Sequence, residues 1–137
     1  MTTALDSNIL SALWSSEPAA SQILRELDRL RALGGIIVCA PVYVELTAHP
    51  KASQKFIDQF FGDTEIAIDF ELDESIWRRA ADGFAGYALR RRQSGGSTPK
   101  RMLVDFLIAA HALLRTDQLM TLDPSRYKRD FPTLRLV

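Results

Sequence analysis

Four carboxylates stand where the surrounding sequence makes a charge costly. Asp6 is the only formally charged side chain before Glu17, and Glu45 is the only one between Arg31 and Lys51. Asp105 is the only one between Arg101 and Arg115, amid Met102, Leu103, Val104, Phe106, Leu107 and Ile108. Asp123 directly follows the apolar run Leu119-Met120-Thr121-Leu122. An ionised carboxylate is expensive to bury without a partner, and none of the four has an obvious basic partner in its own segment. Brought together, they would repel one another by several kcal/mol in a half-buried site. A divalent cation removes that conflict. A ligand set made of oxygens alone favours Mg²⁺, or Mn²⁺ in its place, over zinc. Each acid also has a plainer reading. Asp6 could cap a following helix, Glu45 could pair with a distant arginine, and Asp123 before Pro124 could be a turn residue. Asp105 is hardest to explain away, because its segment is apolar nearly all round.

The elements that must position these acids follow from the apolar spacing. Thr2 to Asp6 reads as a short strand ending at an acid, followed by a helix from Asn8 to Trp14. Pro18 suits the first turn of a second helix, with Ser16 or Glu17 as its cap. Ile23, Leu24, Leu27 and Leu30 recur at helical spacing until Gly34-Gly35. Ile36 to Ala40 is a continuous, β-branched run suited to a buried parallel strand. Pro41 opens a helix to about Ala48, closed by His49-Pro50, and another runs from about Ala52 to Phe61. Glu65 to Asp69 alternates like a strand. Asp73 caps a long helix through Ile76, Trp77, Ala80, Phe84 and Tyr87 to Arg92. Gln93 to Pro99 is a loop, and an apolar helix follows from about Lys100 to Arg115. Leu119 to Leu122 is a strand, and Leu134 to Val137 a candidate last one.

Strands alternating with helices predict a three-layer α/β fold, a mostly parallel sheet of four or five strands flanked by helices. In such sheets ligands collect at the strands' carboxyl ends. Asp6 and Asp123 fall there, and Glu45 and Asp105 lie early enough in their helices to face the same edge.

The bulk numbers bound the reading. A chain of 137 residues fits one domain, 1–137, and 47% hydrophobic residues suffice for a real core. Seventeen basic and seventeen acidic side chains cancel. That argues against coating nucleic acid by bulk attraction, and permits a local basic rim. The single cysteine, Cys39, excludes an intrachain disulfide and reads as a small buried hydrophobe. With no signal-like or membrane-spanning stretch, the expected location is cytoplasmic, away from membranes.

Other reactive side chains carry less. His111 lies six residues beyond Asp105, about 240° round the helix, so a structural role is expected. Ser7 and Ser11 have no base in their segment. Arg90, Arg91 and Arg92 end the long helix, and Lys100 and Arg101 adjoin Asp105's helix. Lys100, Arg101 and Arg91 are candidate phosphate contacts for RNA, although a basic run also complements a helix end.

Asp6-Ser7-Asn8-Ile9-Leu10 after a short strand, Pro41 through Glu45-Leu46, Asp105 through Ile108-Ala109-Ala110, and Thr121-Leu122-Asp123 together resemble the PIN-domain ribonucleases. They are most similar to the toxin component of VapBC-type toxin–antitoxin systems. The resemblance spans Asp6 to about Phe131, and rests on the order and spacing of the motifs rather than on any one of them. It implies a Rossmann-like PIN fold and a Mg²⁺-dependent endoribonuclease that dimerises and is neutralised by an antitoxin. By position, Asp6, Glu45, Asp105 and Asp123 are the acidic quartet, and Asn8 and Thr121 help shape the site. Asp6 and Asp105 are the expected principal metal ligands, Asp123 a further one, and Glu45 the holder of the attacking water or of a second ion. The segment Thr98-Pro99-Lys100-Arg101 departs from the family pattern and leaves RNA preference open.

Two rival readings remain. A phosphatase using Asp6 as nucleophile wants a second acid two residues on, where Asn8 stands. A non-catalytic PIN-like scaffold could bind RNA or a partner without cutting.

Overall fold

A computed structural model describes residues 1–95 and 103–137 of the chain. Strand β1 (Thr3–Leu5) is the hinge of the arrangement: it pairs in parallel with β2 (Ile36–Cys39) on one side and with β4 (Gln118–Met120) on the other. Strand β3 (Ala67–Asp69) adds to the far edge of β2, also in parallel, which gives the order β3-β2-β1-β4. The chain therefore steps outward from β1 to β3 and then returns to the opposite side of β1. That reversal makes a topological switch point between β1 and β4, the place where loops of an open parallel sheet diverge and form a binding crevice. Asp6 leaves β1 at this point, and Thr121 and Asp123 leave β4.

The short strands are apolar because both faces are covered. Ala4, Leu5, Val38, Cys39 and Leu119 are all buried, as expected of a parallel sheet flanked by helices. The helices are α1 (Ser7–Trp14), α2 (Ala20–Leu33), α3 (Ala40–Leu46), α4 (Gln54–Thr64), α5 (Glu74–Gln93), α6 (Leu103–Arg115) and the single turn α7 (Ser125–Lys128). Helix α6 is the most deeply set: every residue from Asp105 to Ala112 is buried. It packs along α5, where Gly83 permits the approach. A methyl group there would lie 2.9 Å from Phe131 Cζ and 3.3 Å from Phe106 Cδ1. No helix among the described residues is long and apolar enough to cross a membrane.

Several boundaries differ from expectation. The second helix begins at Ala20 rather than in the turn of Pro18, and its N-cap Ala19 supplies no side-chain bond. Neither Ser16 nor Glu17 is its cap. Ser16 takes a left-handed backbone (φ 52°), and the Ala20 amide donates to the Glu17 carbonyl, so Glu17 to Ala20 forms a separate turn. Glu65 is the left-handed C-cap of α4 (φ 57°), which shortens the following strand from the expected 65–69. Leu134 to Val137 contributes one parallel bridge, Leu119 to Leu136, rather than a full strand. The expected start of the sixth helix at Lys100 and the expected loop to Pro99 fall partly outside the described residues. By contrast, Asp73 caps α5 as its sequence predicts, accepting from the Ile76 amide.

Candidate active site

Asp6 occupies the N-cap position of α1, with an extended backbone (φ −75°, ψ 153°), yet its carboxylate makes no capping bond. The plainer reading of Asp6 therefore fails. The carboxylate turns instead into the crevice, where it is 2% exposed. Its Oδ2 accepts from the Tyr127 hydroxyl at 2.6 Å, from Thr121 Oγ1 at 2.9 Å and, at the limit, from Asn8 Nδ2 at 3.5 Å. Three donors on a single oxygen fix a buried charge in orientation.

Asn8 and Thr121 tie the two diverging strands together. Asn8 Nδ2 reaches Thr121 Oγ1 at 3.3 Å, and Asn8 Oδ1 accepts from the Leu122 amide at 3.2 Å. Thr121 Oγ1 also accepts from the Asp123 amide at 3.1 Å. Asp123 is thus held by the same hydroxyl that holds Asp6. Its own carboxylate accepts from Ser125 Oγ at 2.9 Å.

Glu45 reaches the cluster from α3, where its Oε1 accepts from Ser7 Oγ at 2.9 Å. Burial pushes its carboxyl above the ordinary carboxylate value. The Ser7 bond opposes that shift, and the like charges of Asp6 and Asp105 add to it. Both acids therefore act electrostatically at Glu45, which joins the segments that the sequence separates. Asp105, on the first turn of α6, is 7% exposed.

A guanidinium stands among these acids. Arg126 Nη2 lies 3.2 Å from Asp123 Oδ2, and Nη1 lies 3.5 Å from Asp105 Oδ1. Burial works against the charge of Arg126, but the fields of Asp105, Tyr127, Asp123 and Asp6 outweigh it and raise its pKa. The expectation that no acid has a basic partner in its own segment is corrected here: Arg126 lies three residues after Asp123, on a helical turn that places them side by side. Tyr127 was likewise not anticipated from the sequence. Burial and the adjacent Asp6 charge hold its phenol well above the usual value, so it stays a hydrogen-bond donor. The spacing Asp123-x-x-Arg126 was the available signal for Arg126. Nothing marked Tyr127, whose four-residue helix is too short to show a period.

Among the described residues, no three His, Cys, Asp or Glu side chains close on one point tightly enough to enclose a metal ion. The donors nevertheless have the right chemistry, being hard carboxylate oxygens, and Arg126 already sits between two of them as a positive charge. The remaining candidates fall elsewhere. His111 is buried on α6, where Nε2 meets Asp69 Oδ2 at 3.0 Å. Cys39 is buried, and its thiol is pushed up to about 12, chiefly by burial. Arg91 lines a cavity between α5 and α7, beside Ser125. Lys100 and Arg101 lie outside the described residues.

A four-stranded parallel sheet with carboxylates gathered at its switch point defines an α/β domain whose functional edge is acidic. The family model described as the PIN domain matches residues 3–132, and the chain belongs to that family. No curated protein matches the chain. Among solved structures it is similar to VapBC2 from Rickettsia felis bound to a DNA fragment from their promoter. That match has a TM-score of 0.64 at 24% identity, over 100% of this chain and 98% of the other. VapBC-1 from nontypeable Haemophilus influenzae matches at 0.63 and 18%, over 100% and 97%. A toxin–antitoxin complex from Klebsiella pneumoniae matches at 0.57 and 22%, over 98% and 95%. At these identities the likeness carries the fold.

Proposed function

We propose that this chain is a metal-dependent endoribonuclease that serves as the toxin of a toxin–antitoxin pair. The observation that carries the reading is the diversion of Asp6 from capping α1 into a crevice whose field also reaches Glu45 and bears the Asp105 charge. A structural acid at that position would cap the helix. Family membership supports the same reading, as do the solved relatives, whose names describe VapBC assemblies or a toxin–antitoxin complex.

Asp6, Asp105 and Asp123 are the residues that would hold Mg²⁺, or Mn²⁺ in its place. When bound, the ion would supply Lewis acidity toward a phosphodiester and make water more acidic. The chain's own groups do the rest. Tyr127 and Thr121 fix Asp6 by donating to Oδ2, leaving its other oxygen directed by that anchorage. Glu45, whose raised pKa makes it a better base than an exposed carboxylate, would orient and deprotonate an attacking water. Ser7 keeps Glu45 in position. Arg126 can pass from carboxylates to the phosphate as substrate arrives, because a guanidinium binds either. The partners of this reading are RNA as substrate, a cognate antitoxin covering the acidic crevice, and a second copy of the chain in a homodimer. The expected setting is cytoplasmic.

The test is RNA cleavage by the purified, antitoxin-free chain with Mg²⁺, with EDTA, and with Asp6→Asn. Cleavage should require the ion, and Asp6→Asn should lower it by about 10³-fold. Equal cutting in EDTA would overturn metal dependence, and equal cutting by Asp6→Asn would remove Asp6 from the mechanism.

A further inference from the structure

Beside the acidic crevice lies a second feature of opposite charge. A cavity of about 290 Å³ opens between the last turn of α5 and the segment around α7, lined by Tyr87, Arg90, Arg91, Ser94, Ser125, Arg129 and Asp130. Its charges are uneven. Asp130 is buried and paired with Arg90 Nη2, while its carbonyl accepts from Arg79 at 3.1 Å, so the acid is tied into the wall. Counting the formal charges of these lining residues leaves three guanidiniums against one carboxylate. Two serine hydroxyls complete the polar lining. The Tyr87 ring packs against Phe84 and Phe106, giving that side a rigid back.

Ser125 belongs to both places. It lines the cavity, and its hydroxyl donates to Asp123 at 2.9 Å. The basic cavity and the carboxylate cluster are thus separated by one side chain. We infer that the cavity is a subsite for a neighbouring backbone phosphate and its nucleoside on the RNA strand, next to the phosphodiester held at the acids. This rests on the ribonuclease reading and names where the rest of the substrate goes.

The physical case is one of charge alternation. A polyanionic strand cannot lie against carboxylates alone, because each further phosphate adds repulsion. A strand that presents one phosphate to the acidic crevice and the next to clustered guanidiniums satisfies both, and guanidiniums bind phosphate through two parallel N–H donors. The cavity volume exceeds what a lone inorganic anion fills and approaches that of small-ligand pockets. The neutral net charge of the chain is consistent with this arrangement: attraction for RNA is local, at this rim, rather than spread over the surface.

The test measures binding apart from cutting. A fluorescein-labelled single-stranded RNA is titrated with the full chain in EDTA, by anisotropy, at several salt concentrations. Wild type is compared with Arg91→Gln, Arg129→Gln, the double variant, and Arg78→Gln, an exposed arginine of α5 that does not line the cavity. The double variant is expected to bind at least about tenfold more weakly. Its salt dependence should be shallower by about 0.7 per guanidinium removed, the increment for single strands. Arg78→Gln should bind as wild type does, and Arg129→Lys should keep most of the salt slope while losing part of the affinity. Equal losses in Arg78→Gln and the double variant would show diffuse attraction and overturn the subsite, as would wild-type binding by the double variant. Cleavage by wild type in Mg²⁺, run alongside, separates the two ideas: cutting with an unaffected double variant removes the subsite alone, whereas neither cutting nor binding removes both.

Discussion

Two groups of acids near the same edge of the sheet are treated in opposite ways. Asp69 ends β3; its Oδ2 meets the buried His111 Nε2 at 3.0 Å, and its Oδ1 accepts from the Glu71 amide at 3.0 Å. One acid faces one imidazole, and the pair joins β3 to α6 across the body of the domain. At the switch point four acids come from four separate segments: the charges of Asp6 and Asp105 both act on Glu45, and those of Asp6, Asp105 and Asp123 all act on Arg126. The first arrangement matches one acid with one buried imidazole nitrogen, while Nδ1 of the same ring is buried without a hydrogen-bond partner among the described residues. The second holds like charges together at a cost, and such clusters belong to sites that receive a cation or a substrate. The difference marks function more clearly than burial does, since both groups are buried in part.

That contrast can be broken by exchanging the two kinds of lesion. Asp105→Asn should lower RNA cleavage by about 10²-fold or more, while the metal-free protein unfolds in urea within about 1 kcal/mol of wild type, because relieved repulsion offsets the lost contact with Arg126. His111→Ala should do the reverse. It empties a fully buried position and removes the imidazole from Asp69 Oδ2, at about 2–4 kcal/mol of stability, with per-molecule cleavage retained below the unfolding temperature. If Asp105→Asn unfolds the chain and His111→Ala abolishes cutting in folded protein, the assignment of the two regions is inverted.

Tyr127→Phe sharpens the comparison inside the acidic group. Removing the donor at 2.6 Å from a buried carboxylate should cost about 1–3 kcal/mol in the metal-free protein, read from denaturant midpoints. Added Mg²⁺ should recover part of that loss by mass action, if Asp6 is a ligand.

A smaller effect tests the repulsion directly. The folded pKa of Glu45 lies above its unfolded value, so the native state holds its proton more tightly. Its contribution to stability is therefore fully present below the unfolded carboxylate value, and is lost as pH rises through the raised one. In EDTA, the stability of wild type relative to Glu45→Gln should fall over that window. A difference that is flat or rises with pH would contradict the field at Glu45. Smallest of all, Arg126→Gln should tighten Mn²⁺ binding by a few-fold in calorimetry, the scale of a partly exposed ion pair, because a competing positive charge leaves Asp105 and Asp123.

Much of this was legible in the chain itself. Isolation of a charge within an apolar segment is a local property, so Asp6, Glu45 and Asp105 could be singled out by reading along the sequence. The alternation of apolar strands and amphipathic helices likewise indicated a parallel sheet, since burial on both faces leaves its trace in composition. What the sequence could not carry was set by contacts between distant segments. Arg126 and Tyr127 owe their roles to a single helical turn after β4, too short for a period to appear. The diversion of Asp6 away from its own helix depends on Thr121 and Tyr127, which lie 115 and 121 residues away along the chain. The cavity of Arg91 and Arg129 exists only because α5 and the segment around α7 come side by side. Residue type and spacing decide which groups can do chemistry, because those are local. Which groups meet is decided by the strand order at the switch point, because only the folded sheet brings the ends of β1 and β4 together.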